Sequence, residues 1–313
     1  MNGQNNISYI VNERFQVTCM ALTLISLFVI FYFSYMEFRP TDDYPLVTSL
    51  TPHQLFELGG PAKPIRVGLF LKSFSDFDII KGKFLADLTI WFKFNPDFIP
   101  LDQIDQFVFQ KAEIQSKSGP FLRIEGNDFV ASYTMNVLFY VALNYKKFPL
   151  DDHRLSLIVD NYFMPPTQGF FVSSKNDIVV SPEAKVEGLK FINSSVSVGY
   201  FEHKEQIEGE ERMSYHPRAI FLFDFAEAGV RYIFSIFLPL LMIFFTALFS
   251  FSIDPVEATT FSVIDMSGAS LAALIAFRFV MESGSPAPGY FMISDYIFLF
   301  FLVVILFIFL VNI

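Results

Sequence analysis

Long uncharged apolar runs lie at both ends of this 313-residue chain, and they constrain its fold more than any other feature. Arg14 and Glu37 bracket 22 uncharged residues, Arg231 and Asp254 bracket another 22, and the last 18 residues carry no charge either. An α-helix rises about 1.5 Å per residue, so about 20 such residues cross the roughly 30 Å of hydrocarbon in a bilayer. The sequence therefore predicts membrane helices at both ends of a more polar middle segment.

The first run, Phe15–Met36, has two interpretations, a membrane helix and a cleaved signal peptide. A signal peptide has an apolar stretch of only about 7–15 residues, followed by small residues at the cleavage site. This run is longer, and Tyr35–Phe38 at its end holds no small residue. Both features favour an uncleaved helix.

Composition excludes several classes of protein. The chain is 53% hydrophobic and 17% charged, against about 25% charged in a typical soluble domain, which excludes a disordered protein and argues against a cytosolic enzyme. Its formal net charge is −10, and no basic patch is visible that would bind nucleic acid. Cys19 is the only cysteine, so no intrachain disulfide forms.

A further run, Glu257–Met281, is predicted to form a membrane helix that is only partly apolar. It holds Asp265 close to the small residues of the stretch 267–276. Small residues let membrane helices pack closely, whereas an ionisable residue in such a helix usually faces a bundle interior or water. Because close packing does not need a carboxylate, Asp265 favours a pore wall over packing alone.

The middle segment, from Ile65 to about Glu227, has the pattern of an all-β domain. Short apolar or alternating runs such as Phe107–Ile114 and Phe121–Ile124 are separated by turn signals such as Ser118–Pro120. Six to ten short strands at this spacing predict a β-sandwich. A polar, proline-rich linker precedes it, with a short helix predicted to begin at Thr51.

No catalytic or metal-binding motif is present, which predicts a protein that is not an enzyme and has no cofactor. The acidic segment 202–211 contains Glu205, Glu208, Glu210 and Glu211, and carboxylates of this kind bind calcium. The ligand order of a calcium loop is missing, and a solvated hairpin tip is the favoured alternative. Calcium is therefore retained only as a modulator.

Four short segments have recognisable patterns. They are Tyr145–Asp151 (YKKFPLD), Phe237–Pro239 (FLP), Glu282–Pro286 (ESGSP, followed by Tyr290) and Ser294–Tyr296 (SDY). Together with the order of the elements, they resemble the pentameric ligand-gated ion channels, the Cys-loop receptor superfamily, over about residues 65–313. The flanking cysteines of the first segment are absent, as in bacterial members.

The resemblance implies a membrane protein of mixed α and β structure, with an extracellular or periplasmic immunoglobulin-like β-sandwich followed by a transmembrane helical bundle. The segments are a cytosolic stretch at 1–14, an additional N-terminal membrane helix at 15–36, the linker at 37–64, the ligand-sensing sandwich at 65–228 and the channel domain at 229–313. Channel helices are expected at about 230–253, 257–281 and 291–313. The implied protein is a homopentamer in the plasma or inner membrane.

The polar helix would then line the pore, with the predicted lining residues Glu257, Asp265, Gly268, Leu271, Ala272, Ile275 and Phe279. One register turns Leu271, Ile275 and Phe279 toward the axis and gives a hydrophobic constriction. The other turns Ala272, Ala276 and Phe279 inward and gives a wider pore, and spacing alone does not separate the two. Rings of Asp265 and Glu257 carboxylates predict cation conduction, provided that Arg278 points away from the axis, toward the sandwich or Glu282.

The resemblance also implies residues that couple the sandwich to the pore and residues that bind the agonist. The coupling set is Asp78, Phe148, Pro149, Asp151, Arg231 and Pro286. The ligand-binding set, for which ordinary core and interface packing is the favoured alternative, is Trp91, Tyr162, Phe163, Tyr200 and Tyr215. The stimulus is expected to be protons, a divalent cation or a small ligand.

Two of the departures of the chain from the family concern its membrane helices. A gapless count back from Pro239 places Glu227 where the family has an arginine, and Arg231 follows one turn later. The family's fourth channel helix is not found, and Phe15–Met36 is hypothesised to fill its groove. The runner-up function is a non-conducting sensory receptor whose sandwich signals to a cytosolic domain outside this chain.

Overall fold

The computed structural model describes residues 45–50, 62–78, 81–186, 188–207, 210–227, 230–250 and 263–312, and single positions at 17, 18, 20, 21, 25, 32 and 53. The chain divides into two compact units. A β unit comprises Asp42–Asn144 and Asp152–Ala228. A helical unit comprises Met1–Thr41, Gly229–Ile313 and the loop Tyr145–Asp151.

The described part of the β unit holds ten strands in two sheets. The first sheet has the order β4-β5-β2-β1-β7, with β8 also paired to β1. Its strands are β1 Lys63–Asp78, β2 Lys83–Phe94, β4 Ala112–Glu125, β5 Asp128–Tyr140, β7 Gly169–Val172 and β8 Ile178–Val180. The second sheet has the order β3-β6-β10-β9. Its strands are β3 Val108–Phe109, β6 His153–Asp160, β9 Leu189–Ile207 and β10 Glu210–Glu227, and a short helix, α1, spans Leu101–Asp105.

Strand β2 shows why this segment folds as sheet. Every second side chain from Phe84 to Phe94 is buried, and the side chains between them are partly exposed. This alternation matches the period of two of a strand that has one face against a core. The buried rings pack on one another. The ring centres of Phe84 and Phe139 lie 5.1 Å apart, and those of Phe92 and Phe107 lie 5.0 Å apart.

Two details of the predicted strand pattern are wrong. Phe107–Ile114 is not one strand, because Lys111 has a positive φ of 49° and the chain changes sheets there, with β3 paired to β6 and β4 paired to β5. Ser118–Pro120 is not a turn but an irregularity inside β4, where the register with β5 shifts between Ser118 and Phe121. Glycine and proline mark bulges as well as turns.

Three helices form the described C-terminal part of the helical unit: α2 Val230–Phe249, α3 Val263–Ser283 and α4 Ile293–Asn312. Each packs against the other two. Among the described residues, α3 and α4 are long and apolar enough to cross a membrane, whereas the apolar part of α2, Phe234–Phe249, is shorter. The predicted N-terminal helix 15–36 and the predicted short helix after Thr51 fall mostly outside the described residues, and their described positions are helical.

Candidate functional site

Helix α3 has one buried side and one exposed side. The buried side chains are Ser267, Ser270, Leu274 and Met281. Because an α-helix turns about 100° per residue, these four lie within one narrow arc. The exposed stripe on the opposite side consists of Asp265, Ala269, Ala272, Ala276, Phe279 and Ser283. The single carboxylate in the first turn of α3 is therefore aligned with small side chains along most of the helix.

The predicted pore-lining residues divide between this stripe and its flanks. Asp265, Ala272 and Phe279 belong to the stripe, and Ile275 is 49% exposed beside it. Gly268 and Leu271 are partly buried, and Glu257 lies outside the described residues. Ala272 and Ala276 each lie about 20° from Asp265 around the helix, whereas Leu271 lies about 120° away. The exposed face thus agrees better with the register through Ala272 and Ala276.

The two buried serines of α3 are satisfied within their own helix. Ser267 Oγ donates to the carbonyl oxygen of Val263 at 3.0 Å, and Ser270 Oγ donates to that of Met266 at 2.9 Å. Serine hydroxyls commonly bond the carbonyl one turn earlier in this way. The polar groups on the buried side of α3 therefore need no water.

Arg278 turns away from the exposed stripe of α3. Its Nε donates to Glu282 Oε1 at 2.9 Å, and its Nη1 donates to Asp295 Oδ1 of α4 at 2.5 Å. The guanidinium also lies 5.3 Å from the centre of the Phe298 ring. Glu282 was one of the two directions that the sequence analysis left open for Arg278. The bond to Asp295 was not expected, because nothing in the sequence pairs two residues on different helices.

The loop Tyr145–Asp151 caps the start of α4. The carbonyl oxygen of Lys146 accepts a hydrogen bond from the Ile293 N–H at 3.0 Å, and that of Phe148 accepts one from the Ser294 N–H at 3.2 Å. The first N–H groups of a helix have no partner within the helix, so these carbonyls satisfy them. In return, the Tyr145 N–H donates to the Tyr290 hydroxyl at 2.9 Å. The loop and the start of α4 are thus joined in both directions.

Within the loop, Asp151 fixes the chain's own turn. Its Oδ1 accepts from the Lys147 N–H at 2.9 Å, while the Leu150 N–H donates to the Lys147 carbonyl at 2.9 Å. Asp151, Phe148 and Pro149 are all buried, and the peptide bond between the latter two is cis. Three of the predicted coupling residues therefore lie together on one ordered loop.

The other predicted coupling residues are placed separately. Pro286 is buried in the connection between α3 and α4, beside a cavity of 510 Å³ that Tyr290, Arg278 and Asp295 also line. Asp78 ends β1 in the β unit, where hydrogen bonds from the backbone and side chain of Lys81 lower the pKa of its carboxyl. The Arg231 side chain lies outside the described part of the structure.

A cavity of 480 Å³ opens in the β unit next to Trp91. The indole lies across β1 because residue 68 is glycine, and a Cβ there would fall 2.2 Å from the ring. Three cations and two carboxylates share the wall, namely Arg66, Lys93, Arg123, Glu125 and Asp177. An aromatic surface bordered by charges of both signs suits a small polar molecule.

The charged groups of this cavity are paired. Arg66 Nε donates to Asp177 Oδ1 at 2.9 Å, Lys93 Nζ donates to Glu125 Oε2 at 2.9 Å, and Arg123 also bonds Glu125. The Lys93 hydrogen bond is the main cause of the lowered pKa of Glu125. Burial acts to raise the pKa of Asp177, but hydrogen bonds from Arg66 and Ser174 outweigh it and lower the value. Both carboxylates are therefore ionised near neutral pH.

The remaining predicted ligand residues do not line the Trp91 cavity. Tyr162 lies near His216 and Phe201, with ring centres 5.5 and 6.3 Å away. Phe163 is 63% exposed, Tyr200 is buried with its backbone bonded to Thr48, and the Tyr215 hydroxyl donates to Glu202 at 3.2 Å. Within one protomer, the structure therefore does not gather the five aromatic residues into one site.

Phe201, one of the rings near Tyr162, already has a cation of the protein over its face. The Arg218 guanidinium lies 4.1 Å from the centre of the Phe201 ring and donates twice to Asp160, both times at 2.6 Å. Asp160 is fully buried. Sequence reasoning missed this pair, since 58 residues separate its members. The available signal was a charged residue next to a largely apolar run, 155–159 before Asp160 and 219–223 after Arg218.

The structure gives limited information on the predicted calcium ligands. Glu205 lies in β9 and Glu210 and Glu211 in β10, and these strands pair as an antiparallel hairpin up to Ile207 and Glu210. The side chains of these glutamates, and Glu208 entirely, lie outside the described part. Among the residues that are described, no group of three or more His, Cys, Asp or Glu side chains is arranged to hold a metal ion.

A scan against protein-family models finds no match to this chain, and a search of curated proteins finds no similar sequence. Function must therefore be argued from the site itself.

Proposed function

We propose that five copies of this chain assemble in a membrane around a common axis and form a cation-selective, ligand-gated channel. The exposed stripe of α3 carries the proposal. A helical unit that merely spans a bilayer would expose only uncharged side chains to lipid, whereas this stripe includes a carboxylate, followed along the helix by small alanines. A charged group is costly against lipid and is stable against water.

In such an assembly the five Asp265 carboxylates form a ring on the axis. Rings of aspartate or glutamate attract cations and repel anions. Small side chains at Ala269, Ala272 and Ala276 leave room for a water-filled lumen, and Phe279 narrows it near the end of the helix. Because Arg278 is engaged with Glu282 and Asp295, its positive charge does not line this lumen.

The loop Tyr145–Asp151 supports a role in gating. It continues the chain between β5 and β6 of the β unit, and its carbonyls cap the first residues of α4. In this proposal, a rearrangement of the β unit would reach the helices along this continuous stretch of chain. For a ligand to drive such a change, it must bind one of two arrangements more tightly than the other.

In this proposal the two sheets form an immunoglobulin-like sandwich outside the cytosol, and the protein is a multi-pass plasma or inner membrane protein. The stimulus is a proton, a divalent cation or a small molecule. The Trp91 cavity of the β unit is a candidate location for a small ligand, since it combines an aromatic wall with paired charges.

The direct test is to record currents from the purified protein in planar bilayers under a potassium chloride gradient. We expect single-channel currents that reverse near the potassium equilibrium potential. The Asp265→Asn variant should lose much of this cation preference, and Asp265→Glu, which keeps the charge, should retain it. The absence of any current under varied pH and calcium concentration would favour the non-conducting receptor. Unchanged ion selectivity in Asp265→Asn would show that the Asp265 carboxylates do not select cations.

A further inference from the structure

A cavity of 510 Å³ lies where α3 ends and α4 begins. We call it the α3–α4 cavity, and its walls are formed by Arg278 and Glu282 near the end of α3, the connection 285–292 and Asp295 of α4. All of these residues are described, and all belong to the helical unit. The cavity is large enough for a small molecule, since pockets that bind such ligands span roughly 300–1,000 Å³.

The charged side chains of this cavity leave one negative charge in excess, because two carboxylates share one guanidinium. Arg278 bonds both Glu282 and Asp295. Asp295 uses both of its carboxylate oxygens, since Oδ1 accepts from Arg278 and Oδ2 accepts from the Met292 N–H at 2.8 Å. The hydrogen-bonding capacity of Asp295 is therefore taken up within the protein.

Glu282 keeps one carboxylate oxygen for a ligand. Its Oε1 accepts from Arg278 at 2.9 Å, whereas none of the described residues donates a hydrogen bond to its Oε2. The side chain is 55% exposed, so a solute can reach it. The cavity thus offers a negatively charged acceptor to any ligand that carries a hydrogen-bond donor.

Aromatic and apolar side chains form much of the remaining wall. Tyr290 is 40% exposed and Phe291 is 59% exposed, and Ala287 and Pro288 also line the cavity. Aromatic ring faces attract cations. Calcium and magnesium need about six or more oxygen ligands, which one free carboxylate oxygen does not supply, and an anion would find Arg278 already engaged. The chemistry therefore fits an organic cation with a small apolar group.

We propose that the α3–α4 cavity binds an alkylammonium ion, whose ammonium group donates to Glu282 Oε2 and whose alkyl group packs against Tyr290 and Phe291. A charge-assisted hydrogen bond of this kind is about twice as strong as a neutral one. A bilayer crossed by α3 and α4 would place their connection near the headgroups, so the ammonium group belongs either to a solute or to a lipid headgroup. Binding does not depend on conduction through α3, and only an effect of the ligand on current would rest on the proposed function.

Three butyl compounds of different charge test this proposal: butylammonium, butan-1-ol and butyrate. The full-length protein is placed in nanodiscs of phosphatidylglycerol, which has no ammonium group, and saturation-transfer difference NMR measures the affinity for each compound. We expect butylammonium to bind roughly tenfold more tightly than butan-1-ol, and butyrate not to bind. Glu282→Gln should weaken butylammonium binding roughly tenfold. Glu183→Gln, which changes an exposed glutamate of the β unit, is the matched control and should leave it unchanged.

A second variant and a second lipid complete the test. Phe291→Ala removes an apolar contact that the compounds share, so it should weaken butylammonium and butan-1-ol binding alike. In nanodiscs of phosphatidylethanolamine, unchanged butylammonium binding would assign the cavity to a solute, and loss of binding would assign it to the ammonium group of the lipid. Equal affinities for the three butyl compounds, or an unchanged butylammonium affinity in Glu282→Gln, would contradict the proposal.

Discussion

Arg278 shows how one side chain determines the position of a helix end. It bonds an exposed partner on its own helix, Glu282, and a buried partner on the neighbouring helix, Asp295. Asp295 also accepts a hydrogen bond from the Met292 N–H at 2.8 Å. A buried carboxylate that loses its cation is left without compensation, whereas an exposed one regains water.

Replacing the two partners of Arg278 separately should therefore have unequal effects. We expect Asp295→Asn to lower the free energy of unfolding by about 2 kcal/mol, the scale of a charged hydrogen bond lost from a buried site. Glu282→Gln, which removes an exposed partner, should cost less than about 1 kcal/mol. Thermal denaturation of the detergent-solubilised protein measures the stability of both variants. Equal losses of stability would show that the Arg278–Asp295 pair contributes no more than the Arg278–Glu282 pair.

Asp87 is the most completely hydrogen-bonded carboxylate on the described partly exposed face of the first sheet. Ser75 Oγ donates to it at 2.6 Å, Asn136 Nδ2 at 2.6 Å and Ser73 Oγ at 2.9 Å. These hydrogen bonds hold the pKa of the carboxyl below its usual value of 3.8, and the bond from Ser75 contributes most. The ionised form is therefore favoured in the folded state.

This lowered pKa predicts a pH-dependent effect of the Asp87→Asn substitution. Since the folded-state pKa is below the unfolded one, the contribution to stability is complete above about pH 4 and is lost as the pH falls through the folded-state pKa. The substitution should cost about 1–2 kcal/mol at pH 7, and less as the pH falls below 4. Chemical denaturation across this range is the measurement, with the exposed Asp76→Asn as control. A cost that stays constant from pH 7 to pH 3 would disprove the linkage.

Single residues differ in how far the sequence reveals them. Asp265 was singled out as a candidate because a carboxylate in an apolar run is conspicuous by itself, and its place in a pore stays a prediction. Asp295 as a partner of Arg278, and Arg218 as a partner of Asp160, were missed because each pair is formed by packing between separate elements. The hydrophobic periodicity of one element does not indicate which residues of another element will pack against it.

Among the elements of the helical unit, the loop Tyr145–Asp151 is joined to the start of α4 by several specific hydrogen bonds. Two of its carbonyls accept hydrogen bonds from the first N–H groups of α4, and its Tyr145 N–H donates to the Tyr290 hydroxyl in the α3–α4 connection. Each bond is modest alone, since a typical hydrogen bond contributes about 1 kcal/mol net. Together they fix the loop against the helix start.

Removing the Tyr290 hydroxyl should loosen this loop. In Tyr290→Phe the Tyr145 N–H loses its acceptor, so we expect faster hydrogen exchange at that amide and a loss of stability of about 1 kcal/mol. If the loop transmits gating, the stimulus needed for half-maximal current should also change. Tyr296→Phe, an exposed hydroxyl within α4, is the control, and identical exchange at the Tyr145 amide in both variants would contradict the role of the bond.

The elements themselves were predicted unevenly. Strand β2 was recognisable because its alternation is unbroken, and α3 and α4 were recognisable from their apolar lengths. The separation of β3 from β4 was not, because the change of sheet at Lys111 depends on backbone conformation rather than on hydrophobic pattern. The irregularity at Ser118–Pro120 was mistaken for a turn because glycine and proline are common both in turns and in irregular positions of strands.

For the whole molecule, the proposed channel function depends on where the exposed stripe of α3 lies in the assembly. In the described part of one protomer the stripe is exposed, and its carboxylate is more stable against water than against lipid. Fivefold assembly is the arrangement implied by the resemblance, and it would place the stripe on the axis. Homopentamers should therefore be the species observed by native mass spectrometry in detergent.

The measurement that tests this placement most directly is the accessibility of position 265 to a water-soluble, positively charged thiol reagent during current recording. In a Cys19→Ser background, Asp265→Cys should be modified and the current should fall, because the attached charge then lies in the path of the ions. Leu274→Cys, on the buried side of the same helix, should be unaffected. If the Asp265→Cys current is untouched by a reagent that modifies other exposed positions, the carboxylate does not face a water-filled pore and the channel account is wrong.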